Sequence, residues 1–380
     1  MTQAATELSE NQLAQLASTS FTLILSLQDP SGAFPASPTF SAYRGYSWFR
    51  DGAFIADGVS SYGTAEGIES ASRFFDWCSA ILTARADHIE RIVGAAANGS
   101  PLPDEEMLAT RFTFDGHEGT DDWWDFQLDG YGTWLWAAVE HAERHQVSLE
   151  PWTPAIRLTV AYLQSSWSRP CFDWWEENSA FVHGSTLGCI AAGLRAAARS
   201  GALNDDESHH ANTAAENILE TMITAGVADG HLTKWLGTDA VDASLLAVIA
   251  PLSVINATSL IGLATTAAIT ADLSVDNGVH RFLGDTFYGG GQWPLLSCML
   301  GLAHAAAGDR DAAVAQLRWA ARTATTAADL PEQVADHLLD PSMRQEWVDR
   351  WGTVATPLLW SHAMFIRLAV ELGSTESSDR

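Results

Sequence analysis

Apolar residues recur every three to four positions along most of the chain, which is the spacing of one face of an α-helix. The pattern is clear in nine windows: residues 11–27, 65–86, 131–145, 154–166, 185–199, 205–225, 252–272, 311–322 and 357–372. Shorter helical segments are predicted after Asp51, Asp242 and Gly291. Alternating runs of β-branched and aromatic residues, which are typical of strands, are scarce. The pattern therefore predicts about a dozen helices and an all-α fold.

Clusters of aromatic and acidic residues separate the helical windows at six places. These clusters are residues 43–51, 121–129, 173–177, 235–242, 281–293 and 331–333, on average about 56 residues apart. Two helices of average length and their connections fill about that much chain. If each helix pair gives one inner and one outer helix to a ring, all six clusters meet at one end. Packing of unrelated Trp-rich loops is the alternative, but a core would exclude the polar residues that every cluster contains.

This spacing predicts a six-hairpin α-toroid. No Pro/Ser-rich linker and no sharp change of composition divides the chain. We therefore expect a single domain over residues 1–380.

The composition narrows the class of ligand. The chain has 20 basic and 47 acidic residues, for a net charge of −27, which excludes nucleic acid and anionic membranes as expected partners. With 47% hydrophobic and 18% charged residues, it can bury a large core. The 16 tryptophans against 6 tyrosines favour a neutral ligand with flat apolar faces. The sequence sets no oligomeric state.

The compartment is predicted from the cysteines and the N-terminal residues. No C-x-x-C pair exists among Cys78, Cys171, Cys189 and Cys298, so free buried thiols in a reducing compartment are expected. The first 15 residues lack the basic start and apolar stretch of a secretory signal, and no apolar run approaches the length of a membrane span. These features predict a cytoplasmic protein.

Metal ligation is not expected. His141 and His145 lie four residues apart, as metal ligands on a helix do, but the run His-Ala-Glu-Arg-His is not H-E-x-x-H. Its polar composition predicts a solvated helix face instead.

The candidate chemistry lies in the clusters. Segment 171–178, Cys-Phe-Asp-Trp-Trp-Glu-Glu-Asn, places two glutamates beside two tryptophans. Burial against an indole raises the pKa of a carboxyl group, as a general acid at neutral pH requires. A charge pair at a helix start, flanked by packing tryptophans, is the commoner explanation of such a run. Arg50 with Asp51 fits a sugar-hydroxyl clamp or a helix cap equally well, and Arg281 fits a clamp or a surface position.

Seven segments, taken in chain order, resemble glycoside hydrolase family 15, the glucoamylase family. They are Tyr-Ser-Trp-Phe-Arg-Asp at 46–51, Gln-Leu-Asp-Gly-Tyr-Gly at 127–132, Trp-Glu at 175–176, the His-Ser segment at 183–188, Asp-Ala-Ser-Leu-Leu at 242–246, Pro-Glu-Gln at 331–333, and the segment 355–363. The resemblance extends from about residue 43 to about residue 362. It implies an (α/α)6 barrel and exo-hydrolysis of an α-glucoside with inversion, which releases β-glucose.

The resemblance also implies roles for individual residues. The family places its catalytic acid directly after tryptophan, which favours Glu176 over its rival Glu177, and Pro-Glu-Gln matches the catalytic-base loop, which makes Glu332 the base. Glu177 would then contact the sugar. Hydroxyl contacts and aromatic walls for the terminal glucose are expected from Tyr46, Trp48, Arg50, Asp51, Trp124, Trp175, Arg281 and Trp293. Neither a metal nor an organic cofactor is expected.

The expected substrate is a short oligosaccharide, isomaltose foremost, because the family motifs begin at Tyr43 and leave no room before them for an N-terminal β-sandwich domain. The layout most resembles single-domain bacterial isomaltose glucohydrolases. An α-1,4 hydrolase of the maltose type and a trehalase stay open. So do a disaccharide phosphorylase and an epimerase that would use His183 and His280. A sugar-binding protein without catalysis is the non-enzymatic alternative.

Overall fold

The computed structural model describes residues 8–123 and 125–375. Within these ranges the α-helices are α1 (Glu10–Leu27), α2 (Phe49–Tyr62), α3 (Ala65–Ala84), α4 (Ala86–Ala97), α5 (Asp129–His145), α6 (Thr153–Ser166), α7 (Gly184–Arg199), α8 (Asp205–Ala225), α9 (Leu246–Ile249), α10 (Leu260–Leu273), α11 (Pro294–Ala306), α12 (Arg310–Arg322), α13 (Arg344–Trp351) and α14 (Leu359–Glu371). Three small antiparallel pairs of strands join β1 (Tyr46–Trp48) to β2 (Arg111–Thr113), β3 (Val227–Ala228) to β4 (His231–Leu232), and β5 (Ser274–Val275) to β6 (Gly278–Val279).

Six helices form a closed inner ring. Helix α2 packs on α5, α5 on α7, α7 on α9, α9 on α11, α11 on α14, and α14 returns to α2. The outer ring consists of α1, α3, α6, α8, α10 and α12, each packed against inner helices. The fold is therefore the predicted all-α (α/α)6 barrel.

The difference between inner and outer helices follows from their side chains. Helix α7 is built almost wholly of Gly, Ala and other small or apolar residues, and nearly its whole length is buried. Helix α8 exposes its charged positions and buries a single row, Ala211, Ala215, Ile218 and Met222. One apolar row needs one neighbour, whereas an apolar circumference needs cover on all sides.

Glycines allow the inner helices to approach closely. A Cβ on Gly132 of α5 would lie 2.4 Å from the carbonyl oxygen of Cys189 in α7, and a Cβ on Gly193 would lie 2.4 Å from the carbonyl oxygen of Gly132. Such distances exclude any side chain, so the two backbones meet directly at this point.

Two predicted helix boundaries were wrong, and one helix was not predicted. The window 65–86 continues into a further helix, α4, after a break at Arg85 (φ −108°, ψ 18°). Helix α10 begins at Leu260 instead of residue 252, because Pro251 and turns around Asn256 occupy the preceding stretch and Ser259 caps the helix through Gly262 N–H. Helix α13, between the last cluster and the C-terminal helix, was not predicted.

The expected solvated face at His141 was also wrong. His141 is buried, and its two ring nitrogens lie 2.9 Å from the hydroxyl oxygens of Ser60 and Ser72. Helix α5 belongs to the inner ring, so His141 is covered and finds its partners inside the protein, although Glu143 and Arg144 near the end of the helix are exposed.

Other expectations of the sequence hold. All four cysteines are free and buried, as predicted. No helix within the described residues is long and apolar enough to cross a membrane.

Candidate active site

A cavity of about 280 Å³ lies at the end of the barrel where the inner helices begin. Its walls are Ala36, Tyr43, Trp48, Arg50, Asp51, Trp123, Trp174, Trp175, Glu176, Glu177, Arg281, Thr286, Phe287, Trp293, Glu332, Trp347, Trp351, Leu358 and Trp360. Five of the six predicted clusters supply wall residues, and the sixth, residues 235–242, lies behind Trp175, whose indole bonds to Asp242. The clusters therefore meet at one end, as their spacing predicts.

Glu176 is held by neighbouring N–H groups. Its Oε1 accepts hydrogen bonds from Trp48 Nε1 (2.7 Å) and Gln127 Nε2 (3.1 Å), and Arg50 Nη2 lies 3.7 Å away. The structure records no hydrogen bond to Oε2 from the described residues. Its backbone has φ +65° and donates N–H to the carbonyl oxygen of Asp173 (2.9 Å). One carboxyl oxygen is thus fixed, and the other is available to a ligand.

Glu332 is more deeply buried, at 2% exposure. Its Oε1 accepts a hydrogen bond from the Tyr43 hydroxyl (2.9 Å), while Oε2 has no hydrogen-bond partner among the described residues. Burial raises the pKa of Glu332 to about 8, against the lowering effects of the Tyr43 hydrogen bond and of Arg281. An unsatisfied buried oxygen beside a cavity is a natural site for a water molecule.

Glu177 differs from its neighbour. Its side chain is 43% exposed, and its Oε1 accepts a hydrogen bond from Arg281 Nη2 at 3.2 Å. Arg281 is in turn buried and paired with Asp285 through Nε–Oδ2 (2.8 Å) and Nη2–Oδ1 (2.5 Å). Arg281 is therefore fixed at the cavity wall rather than at the surface.

Arg50 and Asp51 lie in the first turn of α2, and Trp48 occupies the N-cap position without a side-chain hydrogen bond to the helix. Arg50 Nη1 donates to Gln127 Oε1 (2.7 Å) and Asp129 Oδ2 (3.0 Å), and its Nε lies 3.6 Å from Asp51 Oδ2. Burial raises the pKa of Asp51 to about 7, although Arg50 opposes the shift. Since Asp51 does not cap the helix, the capping explanation fails, and both residues face the cavity.

One expected wall residue, Tyr46, is not among the cavity walls. The Tyr46 ring lies against the Arg111 guanidinium (3.8 Å from the ring centroid), and its hydroxyl donates to Asp121 Oδ1 (2.8 Å), so it belongs to the rim behind Trp48. Trp124 lies outside the described residues. The other expected residues, Trp48, Trp175 and Trp293 with the charged groups above, do line the cavity.

Several wall residues were missed by the sequence analysis. Tyr43 and Trp174 stood inside predicted clusters, and Trp360 stood inside a family segment, so their signal was present. Phe287 lies in the fifth cluster, but no feature of the sequence marked it as a wall residue. Trp347 and Trp351, from α13, belonged to no motif.

Neither histidine of the epimerase alternative reaches the cavity. His183 Nε2 lies 3.1 Å from the carbonyl oxygen of Cys171 and 3.0 Å from that of Asn178. His280 Nδ1 lies 2.9 Å from the carbonyl oxygen of Gly290. Both rings are buried, and neither is part of the cavity wall.

Comparison with known proteins finds two relatives that are close in sequence and one that shares only the fold. The chain is 51% identical over 363 residues to an isomaltose glucohydrolase of Kribbella flavida, covering 95% of this chain and 94% of the relative. A glycosidase variant solved in complex with glucose is 50% identical, with a TM-score of 0.93 and coverage of 96% of this chain and 98% of that one. A glucoamylase from Saccharomycopsis fibuligera shares only the fold, at 15% identity, a TM-score of 0.74 and 98% coverage of each chain.

The family itself is matched over almost the whole chain. The family model described as glycosyl hydrolases family 15 covers residues 12–370. This range includes the complete cavity wall and the inner ring except for the last residue of α14, Glu371. The chain is therefore a glycoside hydrolase and belongs to family 15.

Proposed function

We propose that this enzyme hydrolyses isomaltose and other short α-1,6-glucosides from the non-reducing end, with inversion, so that β-glucose is released. The observation that carries the proposal is a pair of glutamates, Glu176 and Glu332, on separate loops in the wall of one aromatic cavity. The name of the Kribbella flavida relative, an isomaltose glucohydrolase at 51% identity, supports the substrate. A cavity of about 280 Å³ lies at the small end of ligand pockets and favours a short substrate.

Glu176 is the proposed general acid. The N–H groups of Trp48 and Gln127 address only its Oε1, which leaves Oε2 to carry the proton toward the glycosidic oxygen. Donating that proton allows the leaving sugar to depart as an alcohol instead of an alkoxide.

Glu332 is the proposed general base. Its free Oε2 would accept a proton from the water that attacks the anomeric carbon on the opposite face, while Tyr43 holds Oε1. An inverting enzyme keeps its two carboxyl groups about 6.5–9.5 Å apart to admit this water. Because the raised pKa of Glu332 makes its carboxylate a stronger base, the burial of this group serves the reaction.

The terminal glucose is proposed to bind in the part of the cavity that is lined by charged side chains. Arg50 and Arg281 are each neutralised by a buried aspartate, Asp129 and Asp285, so both present hydrogen-bond donors in fixed positions. Asp51 would accept from a hydroxyl, and Trp175 and Trp293, 5.5 Å apart between ring centroids, offer apolar faces. Glu177 is proposed to contact the sugar and to steady Arg281.

Parallel incubation with isomaltose, maltose, trehalose and soluble starch tests the substrate. We expect the highest kcat/KM for isomaltose, measured as released glucose. Faster hydrolysis of starch or maltose would overturn the α-1,6 preference, and faster hydrolysis of trehalose would favour a trehalase.

Proton NMR early in the reaction tests inversion. We expect the β-anomer of glucose to appear before mutarotation produces the α-anomer. Initial α-glucose would contradict the arrangement of acid, water and base.

The setting of the enzyme is also a proposal. A single catalytic domain over residues 1–380 is supported by the closure of the ring between α2 and α14 and by the family match to residues 12–370. Residence in the cytoplasm stays a prediction.

A further inference from the structure

Lys234 is a buried cation behind the cavity that the sequence motifs did not single out. Its side chain is 4% exposed, and its Nζ lies 2.5 Å from Asp242 Oδ2 and 3.3 Å from Asp173 Oδ2. The ammonium group also lies over the Phe282 ring, 3.6 Å from its centroid. Lys234 thus joins two carboxylates that are themselves almost wholly buried.

Both carboxylates hold the segment that carries Glu176. Asp173 Oδ1 accepts the backbone N–H of Trp175 (2.9 Å) and of Glu177 (2.9 Å). Asp242 accepts Trp175 Nε1 at 3.0 Å on each of its oxygens. The backbone on either side of Glu176 and the indole that precedes it are therefore fixed by acceptors that Lys234 neutralises.

The segment needs this support because its backbone is strained. Glu176 has φ +65° and Asn178 has φ +55°, a region that residues with a Cβ seldom adopt. Such conformations persist only where the surroundings enforce them. Without a cation between them, the two buried carboxylates would repel each other and would not keep the positions in which they accept these hydrogen bonds.

We propose that Lys234 is a positioning residue for catalysis: it pairs with Asp173 and Asp242 so that the two carboxylates orient the loop 173–178 and aim the Glu176 carboxyl at the leaving oxygen. The inference rests on the proposed role of Glu176 as the acid. Lys234 itself does not line the cavity and does not touch the substrate.

Leaving-group dependence separates this role from a merely structural one. Departure of a sugar alkoxide needs a proton from the acid, whereas fluoride departs with little help. In Lys234→Met we expect kcat on isomaltose to fall by about 10²-fold, within the range that a positioned general acid contributes, and kcat on α-glucosyl fluoride to fall by less than about tenfold. Equal losses on both substrates in a folded variant, or no loss on either, would overturn the proposal.

Control variants make the outcome decisive. Arg144→Met removes another ion pair, from Arg144 Nη2 to Asp57 Oδ1 at 2.8 Å, which lies in the C-terminal halves of α2 and α5, away from the cavity. This variant should leave the ratio of the two activities unchanged. Lys234→Arg keeps the positive charge but not the contacts of the ammonium group with both carboxylates. Its activity on isomaltose should therefore fall less than that of Lys234→Met, and it should still fall more than its activity on the fluoride. If Lys234→Met does not fold, Lys234→Arg decides: an activity ratio equal to that of the unaltered enzyme would then overturn the proposal.

Glu176→Ala distinguishes failure of the inference from failure of the function. It should show the largest selective loss on isomaltose. If it spares no activity on the fluoride, the assignment of the acid is wrong. If Glu176→Ala spares activity on the fluoride and Lys234→Met shows no such selectivity, only the positioning role of Lys234 fails.

Discussion

Among single residues, the two glutamates of the cavity are prepared in different ways. Among the described residues, Glu176 receives two N–H donors on one oxygen and its side chain is 13% exposed, whereas Glu332 is 2% exposed and receives one donor, the Tyr43 hydroxyl. Burial outweighs the Tyr43 hydrogen bond and the charge of Arg281 and raises the pKa of Glu332 to about 8. Activity should therefore need a pH high enough to ionise Glu332. Stability should fall over the same range of pH, because the ionised carboxylate is buried.

Replacement of Tyr43 by phenylalanine should move the pH dependence of catalysis. The Tyr43 hydroxyl bonds to the carboxylate of Glu332 and lowers its pKa, so its removal should raise that pKa by about one to two units, from the worth of a hydrogen bond to a charged group. The base must be ionised, so the acid limb of kcat/KM, which should already lie above the ordinary glutamate value of 4.5, should shift to higher pH.

Full pH profiles of kcat/KM on isomaltose measure this shift. Tyr131→Phe is the control, because the Tyr131 hydroxyl donates to the carbonyl oxygen of Ala109 and lies outside the cavity wall. An unchanged limb in Tyr43→Phe, or a shift to lower pH, would show that this hydroxyl does not stabilise the ionised base.

Replacement of Glu332 by glutamine should stabilise the fold at alkaline pH. The unfolded chain loses this proton near pH 4.5, whereas the folded protein keeps it until about pH 8. The folded state binds more protons in that window, so the stability of the unaltered enzyme falls as pH rises through it. Glutamine stays neutral throughout.

Thermal denaturation at several pH values tests this expectation. The gain of Glu332→Gln in the free energy of unfolding should be small below pH 4.5 and should grow toward pH 8, to a few kcal/mol at about 1.4 kcal/mol per pKa unit. The gain in Tm should grow with it. A constant difference in Tm across the window would mean that Glu332 ionises normally in the folded enzyme.

The sequence predicts the site only where a residue belongs to a motif. Glu176, Glu332, Arg50 and Asp51 were identified from such segments. Lys234 lay one residue before the fourth cluster, and its partners are visible only after folding, because Asp173 is 61 positions away in sequence. Burial and long-range pairing give such a residue its role, and neither leaves a local pattern.

Among the elements, the helices with a clear apolar periodicity were the most predictable and the connections the least. Leu252, Val254 and Ile255 are buried in the loop before α10, so their spacing imitated a helix that turns around Asn256 prevent. Helix α13 has no buried residue, which left it without an apolar periodicity, although Trp347 lines the cavity. The periodicity of apolar residues shows which helices have a buried face. It does not show a helix such as α13, which lies at the opening of the cavity and has no buried residue.

The contact between α5 and α7 supplies a test of inner-ring packing. Gly193→Ala would place a Cβ 2.4 Å from the backbone oxygen of Gly132, so the helices must separate, at a cost of about 1–3 kcal/mol for overpacking. Gly94→Ala in α4 meets no atom within 4 Å and should instead stabilise the protein by about 0.4–1 kcal/mol.

Urea denaturation of both glycine variants measures the difference. Opposite signs for the two free-energy changes are expected. Equal changes would mean that the inner helices adjust to the methyl group without loss of packing.

For the whole molecule, ring closure explains why residues far apart in sequence share one site. Helix α14 returns to α2, which brings Tyr43 to Glu332 across 289 positions of the chain. The clusters recur along the sequence because each inner helix begins at the same end of the barrel. Regular spacing of the clusters was therefore enough to predict the fold and the end that carries the site, but not the side-chain contacts there.

The net charge of −27 gives a prediction that concerns the whole molecule. Excess like charge destabilises a compact state through self-repulsion, and salt screens it, since the Debye length falls from about 30 Å at 0.01 M to about 3 Å at 1 M. The Tm should therefore rise by several degrees over this range of NaCl, and equally with KCl if screening is the cause. A neutral disaccharide is not steered by the protein's field, so kcat/KM on isomaltose should change by less than about twofold. A Tm that falls with salt would mean that the ion pairs of the fold outweigh the repulsion. A large fall in kcat/KM would mean that the substrate is charged, contrary to the proposed function.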